Sequence, residues 1–331
     1  MAAVTLAGVA RHAGVSLATA SRVLNGSDRR PAEEIAVRVR ASALELGYIA
    51  NAQAQALARS STGLVGLVVH DISDPYFSSI ARGVQHGARQ FNRQVLLAST
   101  DPAENAELEA VSAFASHRTD AIILAGSRKQ STGSVLEKEL QRYANNGGRV
   151  VTIGGGSGVG ISLPIGNYDG ALALVTELVE RGLTRFAILS GPPGLKTVRD
   201  RVRGFTDALQ AAGLAPLAVV ADNFTHDGGF SAALACRKEL EGERACLLAV
   251  NDVMALGAIT ALRSVGMTVP GDMMVTGFDD IPTLRDTTPG LTTVHLPLER
   301  MGETAARLAL HPKSTEPEPI VGKVLLRDST G

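Results

Sequence analysis

From residue 64 onward, short apolar runs alternate with amphipathic stretches. The runs are LVGLVV (64–69), QVLLAS (94–99), AIILA (121–125), RVVTI (149–153), RFAILS (185–190), PLAVVA (216–221), ACLLAV (245–250) and MMVTGF (273–278). Each is long enough for a strand and too short for a helix, and none shows the apolar/polar alternation of a half-buried strand. Continuous apolar runs separated by helical stretches predict parallel strands buried on both faces, in an α/β architecture. Eight such strands can close into one barrel or split into two open sheets. The glycine-rich segment GGGSGVGISLPIG (154–166) follows the fourth run and favours two doubly wound lobes of four strands. LTTVH (291–295) and KVLLR (323–327) are placed to return the chain between lobes.

The first 50 residues read as helical throughout. Thr5 is placed to cap a helix with Leu6, Val9 and Ala10 on one face, and Gly14 ends it. Ser16 caps a second helix over 17–24, with Ala20 and Val23 inward. Asn25 opens a loop, and Pro31 suits the first turn of a third helix that carries Ile35, Val39, Ala43 and Leu46 and stops at Gly47. Two short helices joined by a tight turn, with a third behind them, form the helix-turn-helix plan. Residues 1–62 hold seven arginines against four acidic residues, on a chain whose net charge is only −1. A basic head on a neutral body points to a nucleic-acid contact made by one end. The second helix would present Ser16, Leu17, Ala18 and Arg22 outward. Arginine can pair with guanine O6 and N7 in the major groove. Thr5, Ser16, Thr19, Ser21 and Asn25 are short polar groups suited to phosphate contacts. NAQAQALAR (51–59) has helix-forming composition, with Asn51 as a cap, but is too short to be stable alone.

The chain has 331 residues, enough for two or three domains with ordinary cores. Cys236 and Cys246 are its two cysteines, which excludes a disulfide framework and a four-cysteine zinc site. No apolar run reaches membrane-spanning length and no secretion signal is legible, so the expected compartment is the cytoplasm. GGGSGVG fits neither dinucleotide nor P-loop spacing, and Leu195 stands where GPPGLKT would need the P-loop glycine. No G-x-S-x-G elbow or H-E-x-x-H helix is present. No catalytic residue, metal or cofactor is expected.

These strings together identify a resemblance. V-T-L-x-x-V-A-x-x-A-G-V-S-x-x-T-x-S-R-V-L-N-G (4–26), L-G-Y-I-x-N (46–51), A-x-x-L-A (54–58), D-P-Y-F (74–77), R-x-R-G-F (201–205), N-D-x-M-A-L-G (251–257), G-F-D-D (277–280) and L-T-T-V (291–294) resemble the lactose/galactose-repressor family of bacterial transcription regulators over essentially the whole length. The resemblance implies a helix-turn-helix domain (1–50), a hinge helix and linker (51–63), and a sensor and dimerisation domain (64–331) similar to periplasmic sugar-binding proteins. Its first lobe would span about 64–162 and 295–322, its second about 165–293 and 323–331. Leu17, Ala18 and Arg22 stand where the family reads bases. Leu57, with Ala54 one turn before it, stands where the family inserts a minor-groove wedge. Asp74, Tyr76, Phe77, Arg201, Phe224, Asn251 and Asp279 would face the effector cleft, the alternative for Arg201 and Asp279 being a structural salt bridge across the closed cleft.

The implied function is a homodimeric repressor on a palindromic double-stranded DNA operator, switched by a small metabolite, a sugar or sugar derivative. A nucleobase effector on the same scaffold, or a sugar-converting enzyme with a DNA-recruiting head, are the alternatives. The departures are Gly8, Ala50, Gly166 and His295-Leu296, at positions where the family more often has aspartate, proline, aspartate and a polar pair.

Overall fold

The computed structural model describes residues 4–25, 31–49, 61–100, 104–128, 133–240, 244–311 and 317–331. Backbone contacts divide the chain into two compact units, residues 1–63 and 64–331.

The first unit holds α1 (Leu6–His12), α2 (Leu17–Asn25) and α3 (Glu33–Glu45). Thr5 Oγ accepts from Gly8 N, and Ser16 Oγ accepts from Thr19 N, so both predicted caps form. Gly14 and Gly47 take left-handed φ values of 65° and 66°. These let Val15 N reach Ala10 O and Tyr48 N reach Ala43 O, which closes the ends of α1 and α3. Val9, Ala10, Ala13, Ala20, Val39 and Ala43 form a small core, and Arg38 Nε ties α3 to Ala13 O. Pro31 does not enter the third helix as expected; Ala32 is the N-cap and Pro31 precedes it.

The second unit is built on two parallel sheets. The first contains β1 (Leu64–Val69), β2 (Gln94–Ser99), β3 (Ala121–Ala125), β4 (Arg149–Ile153) and β5 (Ile161–Leu163), in the order β2-β1-β3-β4-β5. Its helices are α4 (Pro75–Gln90), α5 (Glu104–Ser116) and α6 (Val135–Asn145). The second sheet contains β6 (Phe186–Ser190), β7 (Val219–Ala221), β8 (Cys246–Ala249) and β9 (Met274–Thr276), in the order β7-β6-β8-β9. It carries α7 (Asn167–Glu180), α8 (Lys196–Ala211), α9 (His226–Glu239) and α10 (Asp252–Ser264). The chain then forms β10 (Thr293–His295), α11 (Leu298–Leu310) and β11 (Lys323–Leu325), with β10 and β11 antiparallel.

The division is five strands and four, not four and four. β5 lies inside the segment read as a break between lobes; three residues, ISL, are too short to carry a pattern. GGGSGVG is the turn that feeds it. Gly160 takes φ 76°, and a Cβ there would stand 2.2 Å from Val150 O.

The central runs lack alternation because both sheet faces are covered there; β2 and β7, at sheet edges, are not buried on both faces as expected, and Leu97 and Val219 are 46 % and 53 % exposed. In β3, Ala121, Ile123 and Ala125 enter one core while Ile122 and Leu124 enter another. In β1, Val65, Leu67 and Val69 join the first and Val68 the second. α11 returns to pack on α4 through glycines: a Cβ on Gly83 would stand 1.9 Å from Glu299 O, and one on Gly302 2.2 Å from Ile80 O. The chain's end turns the other way, where Ser329 Oγ donates to Val275 O in β9.

Candidate functional site

In both sheets the order reverses beside the first strand, between β1 and β3 and between β6 and β8. Open α/β sheets bind ligands at the carboxyl ends of strands beside such a reversal. A cavity of about 510 Å³ occupies that place. Its first wall follows β1 (His70 to Phe77), β3 (Gly126, Ser127) and β4 (Ile153, Gly154). Its second wall follows β6 (Thr197, Arg201), β7 (Asn223 to His226), β8 (Asn251, Val253) and β9 (Asp279). All seven residues expected in the cleft line it: Asp74, Tyr76, Phe77, Arg201, Phe224, Asn251 and Asp279.

Asp74 is the N-cap of α4, accepting from Tyr76 N at 2.9 Å, with Pro75 in the first turn. Burial raises its carboxyl to about 6, against the pull of the Tyr76 N–H; repulsion from Asp279 and Asp71 adds to the rise. Tyr76 and Phe77 meet edge to face at 5.0 Å, and the Tyr76 hydroxyl is pushed above its ordinary range by burial and by Asp279.

Arg201 is 3 % exposed and its bonds go to protein. Nε donates to Asn167 Oδ1 (2.9 Å), Nη1 to Val250 O (2.6 Å) and Nη2 to Asp279 Oδ1 (2.7 Å). The guanidinium also lies 3.8 Å from the centre of the Phe278 ring. Every partner belongs to the elements of the second sheet, so the Arg201–Asp279 pair is internal to that wall. Burial raises the Asp279 carboxyl despite Arg201. Asp279 also holds φ 114° and Asp280 φ 56°, a left-handed bend that aims both carboxylates after β9. Asn251 caps α10, its Oδ1 accepting from Met254 N. Phe224 packs beside Gly191, where a Cβ would stand 3.1 Å from its ring.

Several groups in the lining, or bonded to it or beside it, were not among the residues expected in the cleft. His70 Nε2 lies 3.1 Å from Glu107 Oε1, and Arg128 grips the same carboxylate with Nε at 3.0 Å and Nη2 at 2.6 Å. Burial opposes ionisation of Glu107, but the His70 and Arg128 bonds outweigh it and hold its carboxyl below the usual range. His70 at the end of β1 was legible as a strand-end residue; Glu107 and Arg128 were not, because only folding brings them together. Ser127 Oγ accepts from Thr197 N at 3.1 Å, a bond between the two walls. His295, noted only as a departure, pairs with Asp280 at 2.9 Å, which Arg327 also holds at 2.7 Å.

In the first unit, Ser16, Leu17, Ala18 and Arg22 are exposed on α2, Thr5 is exposed at α1, and Leu17 is 53 % exposed. Thr19, Ser21 and Asn25 are partly buried, with Asn25 Nδ2 donating to Ser21 Oγ. Asn51, Ala54 and Leu57 lie outside the described residues. Among the described residues no group of acidic, histidine and cysteine side chains could hold a metal, and no helix is long and apolar enough to cross a membrane.

Comparison with known proteins matches residues 5–51 to the bacterial regulatory proteins of the lacI family. Residues 175–330 match the periplasmic binding protein-like domain. The HTH-type transcriptional regulator GalR of Escherichia coli K12 is 33% identical over 338 residues, covering 97% of this chain and 92% of that protein. The ribose operon repressor of Halalkalibacterium halodurans is 30% identical over 341 residues, covering 98% and 97%. The structure of a transcriptional regulator CelR–cellobiose complex superposes with a TM-score of 0.71 at 28% identity, covering 98% of this chain and 99% of that one. With its helix-turn-helix head and its two parallel sheets around one cavity, the chain belongs to the lacI family of bacterial regulatory proteins.

Proposed function

We propose that this protein is a cytoplasmic, homodimeric repressor that binds a palindromic operator and is switched by a sugar held between its two lobes, without turning it over. One observation carries the reading: a chain with an exposed recognition helix also holds a cavity at the strand-order reversals of both sheets. The galactose-regulator, ribose-repressor and cellobiose-complex relatives support a carbohydrate effector. So does the lining, in which carboxylates and amides face aromatic rings; hydroxyls both donate and accept, and carbohydrate ring faces are apolar.

The division into a head (1–50), a hinge (51–63) and a sensor (64–331) is part of this proposal. So are the lobes of about 64–162 with 295–322, and of about 165–293 with 323–331. The packing of α11 on α4 and the Ser329 bond into β9 support that assignment. Leu17, Ala18 and Arg22 read bases. Thr5, Ser16, Thr19, Ser21 and Asn25 position the head on phosphates. Leu57, with Asn51 and Ala54, enters the minor groove. The effector acts by binding two lobe arrangements unequally, since equal binding would shift nothing.

Two measurements test this. Selection of the full chain on random DNA duplexes should enrich a palindrome, and Arg22→Ala should abolish the enrichment. An asymmetric consensus, or none, would overturn the operator reading. Thermal unfolding against sugars and nucleobases should single out a sugar, with the shift reduced in Phe224→Ala. Arg201→Ala is not a clean probe, because Arg201 also holds the second wall together.

A further inference from the structure

The charges around the cavity bear on which sugars it admits, an inference that rests on reading the cavity as a sugar site. Three carboxylates line it, Asp71, Asp74 and Asp279. Among the described lining residues Arg201 is the one arginine or lysine, and its guanidinium is spent on Asn167, Val250 O and Asp279 beneath the Phe278 ring. Reaching a phosphate would break that arrangement and leave Asp279 buried without its partner. The lining imidazoles also face carboxylates, His70 that of Glu107 at 3.1 Å and His226 that of Asp227 at 3.5 Å.

A parallel α/β cleft has a second means of holding an anion, the N–H groups at helix N-termini. Four helices, α4, α8, α9 and α10, begin at this cavity, and each already has a protein oxygen on its first turn. Asp74 Oδ1 takes Tyr76 N (2.9 Å), Ser127 Oγ takes Thr197 N (3.1 Å), Thr225 Oγ takes Gly228 N (3.0 Å) and Asn251 Oδ1 takes Met254 N (2.9 Å). At α4 the cap is itself a carboxylate, so negative charge already sits where an anion would bind.

We propose that the cavity selects by charge, taking an uncharged or amine-bearing polyhydroxylated ligand and rejecting its phosphorylated or carboxylated counterpart. Asp74 follows β1 and Asp279 follows β9, so a ligand donating hydroxyl or ammonium hydrogens to both ties the two walls together. The same bridge screens two carboxylates that otherwise repel across the cleft.

The test uses the full chain and matched probes: galactose, galactosamine, galactose 6-phosphate and galacturonate; the glucose equivalents; ribose with ribose 5-phosphate; and cellobiose. Thermal unfolding finds the binders and titration calorimetry measures them. At least one neutral or amino sugar should bind, with its phosphate or acid counterpart at least about tenfold weaker. A phosphate or acid that binds as well as its parent, or better, overturns charge selection and leaves the sugar reading intact. Stabilisation by nucleobases alone, or by no sugar of any charge, overturns the sugar reading and this proposal with it. Asp74→Asn keeps a capping oxygen and removes the charge, so it should narrow the discrimination at least about threefold. An unchanged ratio overturns the role given to Asp74. Should that variant fail to fold, Asp71→Asn removes a charge from the same wall without touching the α4 cap, and an unchanged ratio there overturns selection by the wall's carboxylates.

Discussion

Asp74 meets two opposing demands. As the cap of α4 it is favoured as an acceptor, yet it is ionised in a buried place within range of Asp279. Its folded pKa of about 6 lies above the unfolded value of 3.8. The folded state therefore holds this proton more tightly than the unfolded state, and stability falls as pH rises through the folded value. Asp74→Asn keeps the cap without the charge. It should be more stable than the parent by about 1–3 kcal/mol at pH 8, and the gain should shrink through pH 6 and vanish below pH 4. Unfolding both proteins at the three pH values decides it; a gain independent of pH would mean that packing is responsible. Arg201 shows the opposite balance. Arg201→Met leaves Asp279 buried without its guanidinium and should cost about 3–5 kcal/mol of folding stability. Adding Asp279→Asn should recover part of that loss, because the unpaired charge is gone. If the double substitution is as damaging as the sum of the single ones, the pair is not coupled.

At the scale of elements, the glycines of α4 and α11 decide how closely these helices meet. Gly83→Ala and Gly302→Ala would each drive a methyl into a facing backbone carbonyl. Each should cost at least about 1–3 kcal/mol, lowering Tm by roughly 2–4 °C per kcal/mol. Gly155→Ala is the control, since no atom lies within 4 Å of its Cβ position. Equal Tm values for all three would refute the close approach. The legibility of the chain follows the same physics. The central apolar runs β1, β3, β6 and β8 were readable because strands buried on both faces must be apolar throughout, whereas the edge runs β2 and β7 are apolar in sequence yet partly exposed. The helix starts at Thr5 and Ser16 were readable because capping is local in sequence. β5 was not, since three residues carry no period. The fate of Arg201 was legible only in part: its place at the cavity and a salt bridge to Asp279 follow from the motif resemblance, but that the pair sits within one wall, held by Asn167 and Val250 at 34 and 49 residues' distance, does not. The head's predicted contacts at Leu17, Ala18 and Arg22 are on an exposed face, whereas Ser16 and Thr19 also serve the cap of their own helix.

For the whole molecule, the question is how the two walls are held in relation to each other. Ser127, after β3, caps α8 through Thr197 N, so one hydrogen bond joins the elements of one sheet to those of the other. Opening the cleft breaks it and exposes an N–H at the start of α8 to water. Such a bond contributes about 0.5–1.5 kcal/mol to the closed arrangement. Ser127→Ala removes it without touching Asp74, Phe224 or the Arg201 network. An effector that binds by closing the cleft should then bind roughly two- to tenfold more weakly, since closure must be achieved with less help. Linkage fixes a second sign. If the effector acts on the operator by favouring closure, then a variant that disfavours closure should shift effector-free operator affinity in the direction opposite to the effector's own effect. Calorimetry with the sugar found by thermal unfolding gives the first quantity, and anisotropy on the selected duplex gives the second. Weaker sugar binding with an opposite operator shift would place Ser127 in the switch. Weaker sugar binding with unchanged operator affinity would confine it to the pocket, and an operator shift in the effector's own direction would mean that the open arrangement, not the closed one, is the state the effector stabilises.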